Sequence, residues 1–173
     1  MFAHVAAAGQ GIIAPMRRFN VNRARYVYED TDPPGYEAGF VRIHKEFGGG
    51  TDLSVAVYEL PEGKSICPYH YEYEEEWLVV LEGRPELRHP EGEEELEPGD
   101  VVAFPPGPEG AHKVTNRHPD VARVLMFSSA RTPAVAVYPD SDKIGVFTPE
   151  RRDDVMVRRE TGVGYWDRET PTP

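Results

Sequence analysis

The sequence predicts an all-β sandwich or barrel. Short apolar runs recur about every ten residues, turn residues separate them, and no long segment has the 3.6-residue period of an amphipathic helix. A chain of 173 residues is long enough for one domain with a hydrophobic core and short for two. We therefore expect one β domain with extensions at both ends.

The candidate strands follow one another along the chain. TDLSVAVYEL alternates apolar and smaller or polar residues, the period of a half-buried strand, and ends at a PEG turn. EWLVVLEG is rich in β-branched and aromatic residues, and ELRHPEGEEELEPGD predicts a hairpin around its own PEG turn. VVAFPPGPEG is a short strand that enters a proline-glycine loop, AHKVTN is another short strand, and VARVLMFSS is a further apolar one. RARYVYED is the only strand predicted before residue 50.

These elements suggest a division of the chain. We expect residues 51–150 to form the barrel, residues 16–50 to pack on it as an N-terminal extension, and residues 151–173 to form a C-terminal extension with a disordered ETPTP end. Residues 1–15 are expected to be a flexible tail. They lack the leading positive charge of a signal peptide.

Charge and cysteine content restrict the environment and the partners. The formal net charge of -11 repels nucleic-acid phosphates and anionic lipid headgroups, so we expect neither a nucleic-acid nor a membrane partner. No apolar run approaches the roughly 20 residues of a membrane helix. The single cysteine, Cys67, excludes an internal disulfide and fits the cytoplasm.

The stretch CPYHYEYEEEWLVVLEG has an unusual distribution of histidine and glutamate. If PYHYEYE is extended, His70, Glu72 and Glu74 point to one face of the strand. The other face then carries three aromatic side chains, Tyr69, Tyr71 and Tyr73. One face is therefore rich in side chains that bind metals.

Two further positions place polar groups in phase with core residues. Glu76 is the first residue of a strand in which Leu78 and Val80 share its face. Burial of its charged carboxylate beside these core residues costs free energy unless an opposite charge is present, and a divalent cation provides that charge. His112 is in phase with Val114 in AHKVTN. Two histidines and one or two carboxylates have the composition of a facial metal site.

Two motifs resemble those of the cupin superfamily, and the resemblance covers residues 50–150 well. The first motif places a glycine before the histidine-glutamate segment and another after it, and here it consists of Gly63, His70, Glu72, Glu76 and Gly83. The second motif, inside GDVVAFPPGPEGAHKVTN, consists of Gly99, Pro105, Gly107, His112 and Asn116. The resemblance implies a cupin double-stranded β-helix, a jelly-roll-like barrel.

It also implies a metal site with His70, Glu76 and His112 as ligands. Glu72 stands where the family pattern has a further histidine, and two loops, those before His70 and before His112, are longer than the pattern. Glu72 is either a fourth ligand or a general base, and we assign it as the candidate catalytic residue. An oxygen-rich ligand set favours Mn or Fe(II), while Zn and Ni remain allowed.

Three functions are compatible with these residues. The first is a metal-dependent enzyme acting on an oxygenated small molecule, by the dioxygenase, isomerase or decarboxylase chemistry that cupins host. The second is a barrel that binds or senses a sugar or organic acid without turnover. The third is a metal-free structural dimer, in which His70 and His112 are satisfied polar groups.

Several other residues have simpler expected roles. We expect Glu74 and Glu75 to be solvated, and Cys67 to be a small buried side chain. A homodimer is expected, with residues 25–28 and the C-terminal tail covering a sheet edge. Three strand arginines could face an anionic substrate, but the sequence does not orient them: Arg84, Arg88 and Arg123.

Overall fold

A computed structural model describes residues 17–48 and 52–170. The predicted tail at residues 1–15 and most of the ETPTP end lie outside these ranges. None of the helices in the described ranges has the length and apolar character that a membrane crossing requires.

Within these ranges the chain forms short strands and only brief helices. The helical segments are α1 (Ile43–Glu46) and the 3₁₀ turns Val21–Arg23, Pro108–Gly110, Pro139–Ser141 and Arg159–Thr161. The strands are β1 Gly39–Arg42, β2 Leu53–Leu60, β3 Tyr71–Glu72, β4 Glu76–Glu82, β5 Glu86–His89, β6 Gly92–Glu95, β7 Val101–Phe104, β8 Lys113–Thr115, β9 Ala122–Ser129, β10 Ala134–Tyr138, β11 Lys143–Phe147 and β12 Val155–Arg158. The predicted all-β class is confirmed.

The strands make two packed layers. One layer is a five-stranded sheet in the order β1-β2-β9-β4-β7. The other consists of β12-β11-β10-β3 and β6-β5-β8, which are joined where His70 and His112 exchange backbone hydrogen bonds of 3.1 and 2.8 Å. Paired neighbours are antiparallel throughout, so the arrangement is a jelly-roll sandwich.

The main core lies between these layers. Leu60, Leu78 and Val124 from the five-stranded sheet are fully buried and belong to the same cluster as Leu87 and Val114 from the opposite layer. Removing such side chains from water supplies roughly 2 kcal/mol each, which makes this cluster the main source of stability. The core therefore fixes the distance between the layers near the site.

Strand β2 has two buried faces. On its inward face Ala56 and Tyr58 line a cavity that reaches Glu76, whereas Val57 points to the other face. Val57 is nevertheless fully buried, because the helix α1 packs over this strand. The alternation predicted the strand correctly.

The N-terminal extension differs from its predicted form. RARYVYED does not form a regular strand, since only Val27 pairs, with Phe40. The actual strand is β1, which pairs along its length with β2. Within the described ranges, the backbone hydrogen bonds of residues 25–28 are the two that Val27 exchanges with Phe40.

Candidate metal centre

Three side chains from different parts of the chain converge between the layers. The candidate ligand atoms of His70, Glu76 and His112 all lie within 4.8 Å of one another. The Glu76 Oε2 atom is 3.7 Å from His112 Nε2 and 4.0 Å from His70 Nε2. These separations leave room for a cation between the three atoms, because metal bonds of about 2.0–2.2 Å hold ligand atoms well apart.

The fold places these residues by pairing their backbones. His70 lies directly before β3, His112 lies directly before β8, and their mutual hydrogen bonds bring the two imidazoles side by side with ring centroids 4.8 Å apart. Glu76 is the first residue of β4 in the opposite layer. The site thus depends on the packing of both layers.

Backbone carbonyls orient both rings. The Nδ1 atom of His70 lies 3.1 Å from the Pro68 carbonyl, and that of His112 lies 2.9 Å from the Gly110 carbonyl. Because a carbonyl only accepts hydrogen bonds, each Nδ1 carries the proton in the neutral ring. Each Nε2 therefore presents its lone pair to Glu76, as a metal ligand must.

One buried atom in this cluster has no partner. His112 is 1% exposed, and its Nε2 atom forms no hydrogen bond with any described residue. An unsatisfied buried polar atom costs about 1–3 kcal/mol. The Nε2 lone pair fits a cation held with His70 and Glu76, and the donor set of two imidazoles and a carboxylate suits a divalent metal.

Burial shifts the pKa values of the three residues away from their charged forms. Burial, and then the charge of Glu72, raises the pKa of Glu76 to about 8. Burial, and then the charge of His70, lowers the pKa of His112 to about 4, and burial lowers the pKa of His70. The protein alone therefore disfavours an ionised carboxylate here, while a bound cation would favour it and the neutral imidazoles.

Glu72 lies beside the cluster but is not part of it. Its Oε1 atom is 4.0 Å from His70 Nε2, and its side chain is 24% exposed. Burial, and then the charge of Glu74, raises its pKa. Glu72 is thus a carboxylate next to the candidate ligands, with access to solvent.

The alternating pattern of PYHYEYE holds as far as β3 and then breaks. Tyr69 and Tyr71 are buried in a separate cluster with Ala111 and Val137, on the face opposite His70, while Tyr73 is 57% exposed. The strand ends at Glu72, so the following residues cross to the other layer.

The two acids in this crossing therefore do not join the cluster. Glu75 is exposed and accepts a hydrogen bond from Trp77 Nε1, which agrees with its expected place at the surface. Glu74 is half-buried and accepts a hydrogen bond from the Ser129 hydroxyl, so it is less exposed than Glu75 and, like Glu75, lies outside the cluster. Its position follows from the turn that ends β3.

Cys67 lies behind the site. Its Sγ atom is 3.5 Å from His70 Nδ1, and the side chain is half-buried. Burial, and then the charges of Glu76 and Glu72, raises the pKa of its thiol. The group therefore remains a neutral thiol, which agrees with the expectation of a packing residue.

Aromatic side chains that the motifs did not single out support the imidazoles. Phe104 stacks on His112 with ring centroids 3.7 Å apart, and Tyr138 stacks on His70 at 5.8 Å. Phe104 faces the site because β7 pairs it directly with Glu76. The sequence VVAF predicted a strand that contains Phe104, but the contact between Phe104 and His112 follows from the register of that strand with β4.

The three strand arginines pair with acids instead of facing the site. Arg84 pairs with Glu95, Arg88 with Asp140, and Arg123 with Glu59 and Glu82. A cation that is satisfied in this way has little capacity for an anionic substrate.

A small cavity adjoins the candidate ligands. It has a volume of about 80 Å³ and reaches Glu76. The cavity is large enough to hold water or a small compound next to the Glu76 carboxylate. Its lining consists of Ser54, Ala56, Tyr58, Glu76, Met126, Phe127 and Ser128.

Comparison with known proteins agrees with this architecture. Residues 56–128, which contain both motifs, match the Cupin_2 family, described as a cupin domain. Residues 56–128 of the chain therefore form a cupin domain. No curated protein matches its sequence.

Several solved structures are similar in fold. A sugar phosphate isomerase of the cupin superfamily from Silicibacter pomeroyi is 23% identical with a TM-score of 0.72, over 87% of this chain and 98% of that one. A putative sugar phosphate isomerase from Acidithiobacillus ferrooxidans is 20% identical with a TM-score of 0.73, over 83% and 91%. The polyketide cyclase RemF from Streptomyces resistomycificus is 22% identical with a TM-score of 0.57, over 69% and 84%.

Proposed function

We propose that this cupin binds one divalent metal ion and is a metal-dependent enzyme acting on an oxygenated small molecule. The observation that carries the proposal is the buried Nε2 atom of His112, which has no protein partner among the described residues and faces the Glu76 carboxylate beside His70. His70 and His112 would each supply Nε2, and Glu76 would supply a carboxylate oxygen. Mn or Fe(II) suits this set best, with Zn or Ni also allowed.

Among the reactions that suit such a site, we favour an isomerisation. Two structures that are similar over most of the chain are a sugar phosphate isomerase and a putative sugar phosphate isomerase. When bound, the metal supplies Lewis-acid polarisation of a substrate oxygen. An aldose-ketose interconversion then needs a base that moves a proton between neighbouring carbons.

Glu72 is the candidate for that base. Its Oε1 atom lies 4.0 Å from His70 Nε2, next to the proposed ligands but outside their cluster. A half-buried carboxylate whose pKa is raised by burial is a stronger base than a free carboxylate and can accept and return a proton. Glu72 Oε1 would take the proton from the hydroxyl-bearing carbon next to the polarised carbonyl and deliver it to the former carbonyl carbon. The proton of that hydroxyl moves to the former carbonyl oxygen, so that an aldose and a ketose interconvert with no other change.

The substitution Glu72→Gln separates this role from metal binding. We expect the variant to retain its metal and to exchange substrate C–H protons with D₂O at least about 100-fold more slowly, because an amide cannot act as the base. Proton NMR with a panel of aldose and ketose phosphates measures the exchange, and elemental analysis measures the metal.

Glu75→Gln is the matched control, because Glu75 is exposed and outside the cluster. Its metal content and exchange rate should equal those of the unmodified protein. Loss of metal in Glu72→Gln would make Glu72 a ligand, and an unchanged exchange rate would remove it as the base.

The alternative is a barrel that binds or senses a sugar or organic acid without turnover. The cavity volume of about 80 Å³ is below the roughly 300–1,000 Å³ of typical ligand pockets, which limits either function to a small ligand. Binding of a ligand by the metal-loaded protein with no proton exchange for any member of the panel would support this reading.

We also propose that the protein is a homodimer. The outer face of the five-stranded sheet presents Trp77 and Phe127, stacked with ring centroids 6.3 Å apart, and Val101, which is 59% exposed. A second copy of the same sheet would cover these apolar side chains.

Sedimentation velocity at micromolar concentration should therefore give the mass of two chains. Val101→Glu should shift the distribution toward one chain, because a carboxylate would be buried without a partner. A monomer for the unmodified protein would contradict the proposal.

A further inference from the structure

We propose that Arg42 and Tyr58 form an anion-binding site at the sheet edge next to the metal-centre cavity, and that this site takes a phosphate or carboxylate group of the substrate. This inference rests on the proposed function and extends it, because it states which chemical group lies at the end of the substrate away from the metal centre.

Strand register places both residues on the inward face of the sheet. Arg42 of β1 pairs with Ala56 of β2, and Phe40 pairs with Tyr58. Directly paired residues of antiparallel strands share a face. Because Ala56 and Tyr58 line the cavity that reaches Glu76, Arg42 stands on the same side, at the edge of the sheet beyond Ala56.

Arg42 keeps its charge available. Its guanidinium lies over the Phe40 ring, 4.3 Å from the centroid, and it forms no ion pair with any residue of 17–48 or 52–170. Arg123, on the same sheet, is instead held by Glu59 and Glu82. A stacked guanidinium with free N–H groups can donate two parallel hydrogen bonds to two oxygens of a phosphate or carboxylate.

The surroundings of Arg42 are mostly positive. A second cavity of about 140 Å³ lies beside it. Two further cations, Arg25 and Lys45, line this cavity with Arg42, and Glu46 is its one acid. In a chain with a formal net charge of -11, this edge of the sheet is a local exception that attracts anions.

Tyr58 supplies a hydrogen-bond donor between this edge and the metal centre. Its hydroxyl makes no hydrogen bond within the described part of the chain. Burial raises its pKa to about 12, the Arg42 charge opposes that rise, and the Glu76 and Glu72 charges add to it. The hydroxyl is therefore protonated and lies within electrostatic reach of both Arg42 and the site carboxylates.

The two regions on either side of Tyr58 thus differ in charge. Glu76, which lines the cavity of about 80 Å³, and Glu72 beside it repel an anion and favour a cation, whereas Arg42, which lines the cavity of about 140 Å³ at the sheet edge, attracts an anion. A substrate with oxygens at one end and an anionic group at the other would be oriented by this difference. The geometry predicts that neutral polyols bind weakly.

Three ligands that share a three-carbon skeleton test the idea: glycerol 3-phosphate, glycerate and glycerol. Calorimetry with the Mn²⁺-loaded protein should show that glycerol 3-phosphate or glycerate binds at least about tenfold more tightly than glycerol, since hydrogen bonds to a charged group are worth about tenfold or more. Arg42→Gln should remove this preference, and Tyr58→Phe should reduce it, with metal content unchanged in both. Arg84→Gln, which removes a cation paired with Glu95, should leave it unchanged.

Equal affinities for the anionic ligands in the unmodified protein and Arg42→Gln would overturn the proposal. Titration with inorganic phosphate tests whether the site binds a phosphate group of a substrate or a free phosphate ion. If phosphate binds as tightly as glycerol 3-phosphate, and this binding depends on Arg42, the assignment to a substrate group is overturned. If the protein holds no metal, the proposed function fails separately, while the Arg42 dependence remains measurable by thermal shift with the same ligands.

Discussion

His112→Ala is expected to weaken divalent-metal binding by at least about tenfold. The substitution removes one of three proposed ligand atoms and leaves Glu76 and His70 with an incomplete set. It also removes the ring that stacks on Phe104, so some loss of stability will accompany it. Calorimetric titration of the metal-free protein with Mn²⁺ measures the affinity, and circular dichroism checks that the β fold persists.

His112→Gln separates the two effects, because it preserves much of the volume while removing the imidazole. Its metal affinity should fall as in His112→Ala, with a smaller change in the unfolding midpoint. His118→Ala is the matched control, since His118 is at the surface and pairs with Glu95. Unchanged affinity in both His112 variants would show that His112 is not a ligand.

Gly110→Ala is expected to change the orientation of His112, although Gly110 is not itself a proposed ligand. A Cβ atom on Gly110 would overlap the carbonyl oxygen of Pro105 and lie 3.0 Å from its C and N atoms, so the backbone must move. The Gly110 carbonyl holds His112 Nδ1 at 2.9 Å, and any shift misdirects Nε2. We expect a loss of about 1–3 kcal/mol in the free energy of unfolding.

Urea denaturation measures this loss, and the Mn²⁺ titration should show weaker binding in the variant that remains folded. Gly164→Ala is the control, because a Cβ atom there meets nothing within 4 Å. Full stability and full affinity in Gly110→Ala would contradict the account of how the loop orients His112.

The central strands could be predicted from the sequence because alternation and β-branched content lie within each strand segment. TDLSVAVYEL and EWLVVLEG correspond to Leu53–Leu60 and Glu76–Glu82, and VARVLMFSS corresponds to Ala122–Ser129. Alternation and β-branched content suffice for such segments. The strands β10, β11 and β12 were not predicted individually, because their extended form depends on pairing with one another and with β3.

The candidate site was predictable in part for the same reason. His70, Glu76 and His112 could be chosen from their phase with core residues and from the motifs, and the structure brings them together. The roles of Phe104, Tyr58 and Arg42 could not be predicted, because each depends on the register between strands that are distant in sequence. The contact of Glu74 with Ser129 could not be predicted without knowing that β3 ends at Glu72.

The metal content of the purified, tag-free protein tests the central claim most directly. Elemental analysis by mass spectrometry should find about one divalent ion per chain, with Mn or Fe favoured, and a much lower content in His112→Ala. Absence of metal from the purified protein, together with no uptake of Mn²⁺, Fe²⁺, Zn²⁺ or Ni²⁺ on titration, would contradict the proposed metal centre and the enzyme built on it.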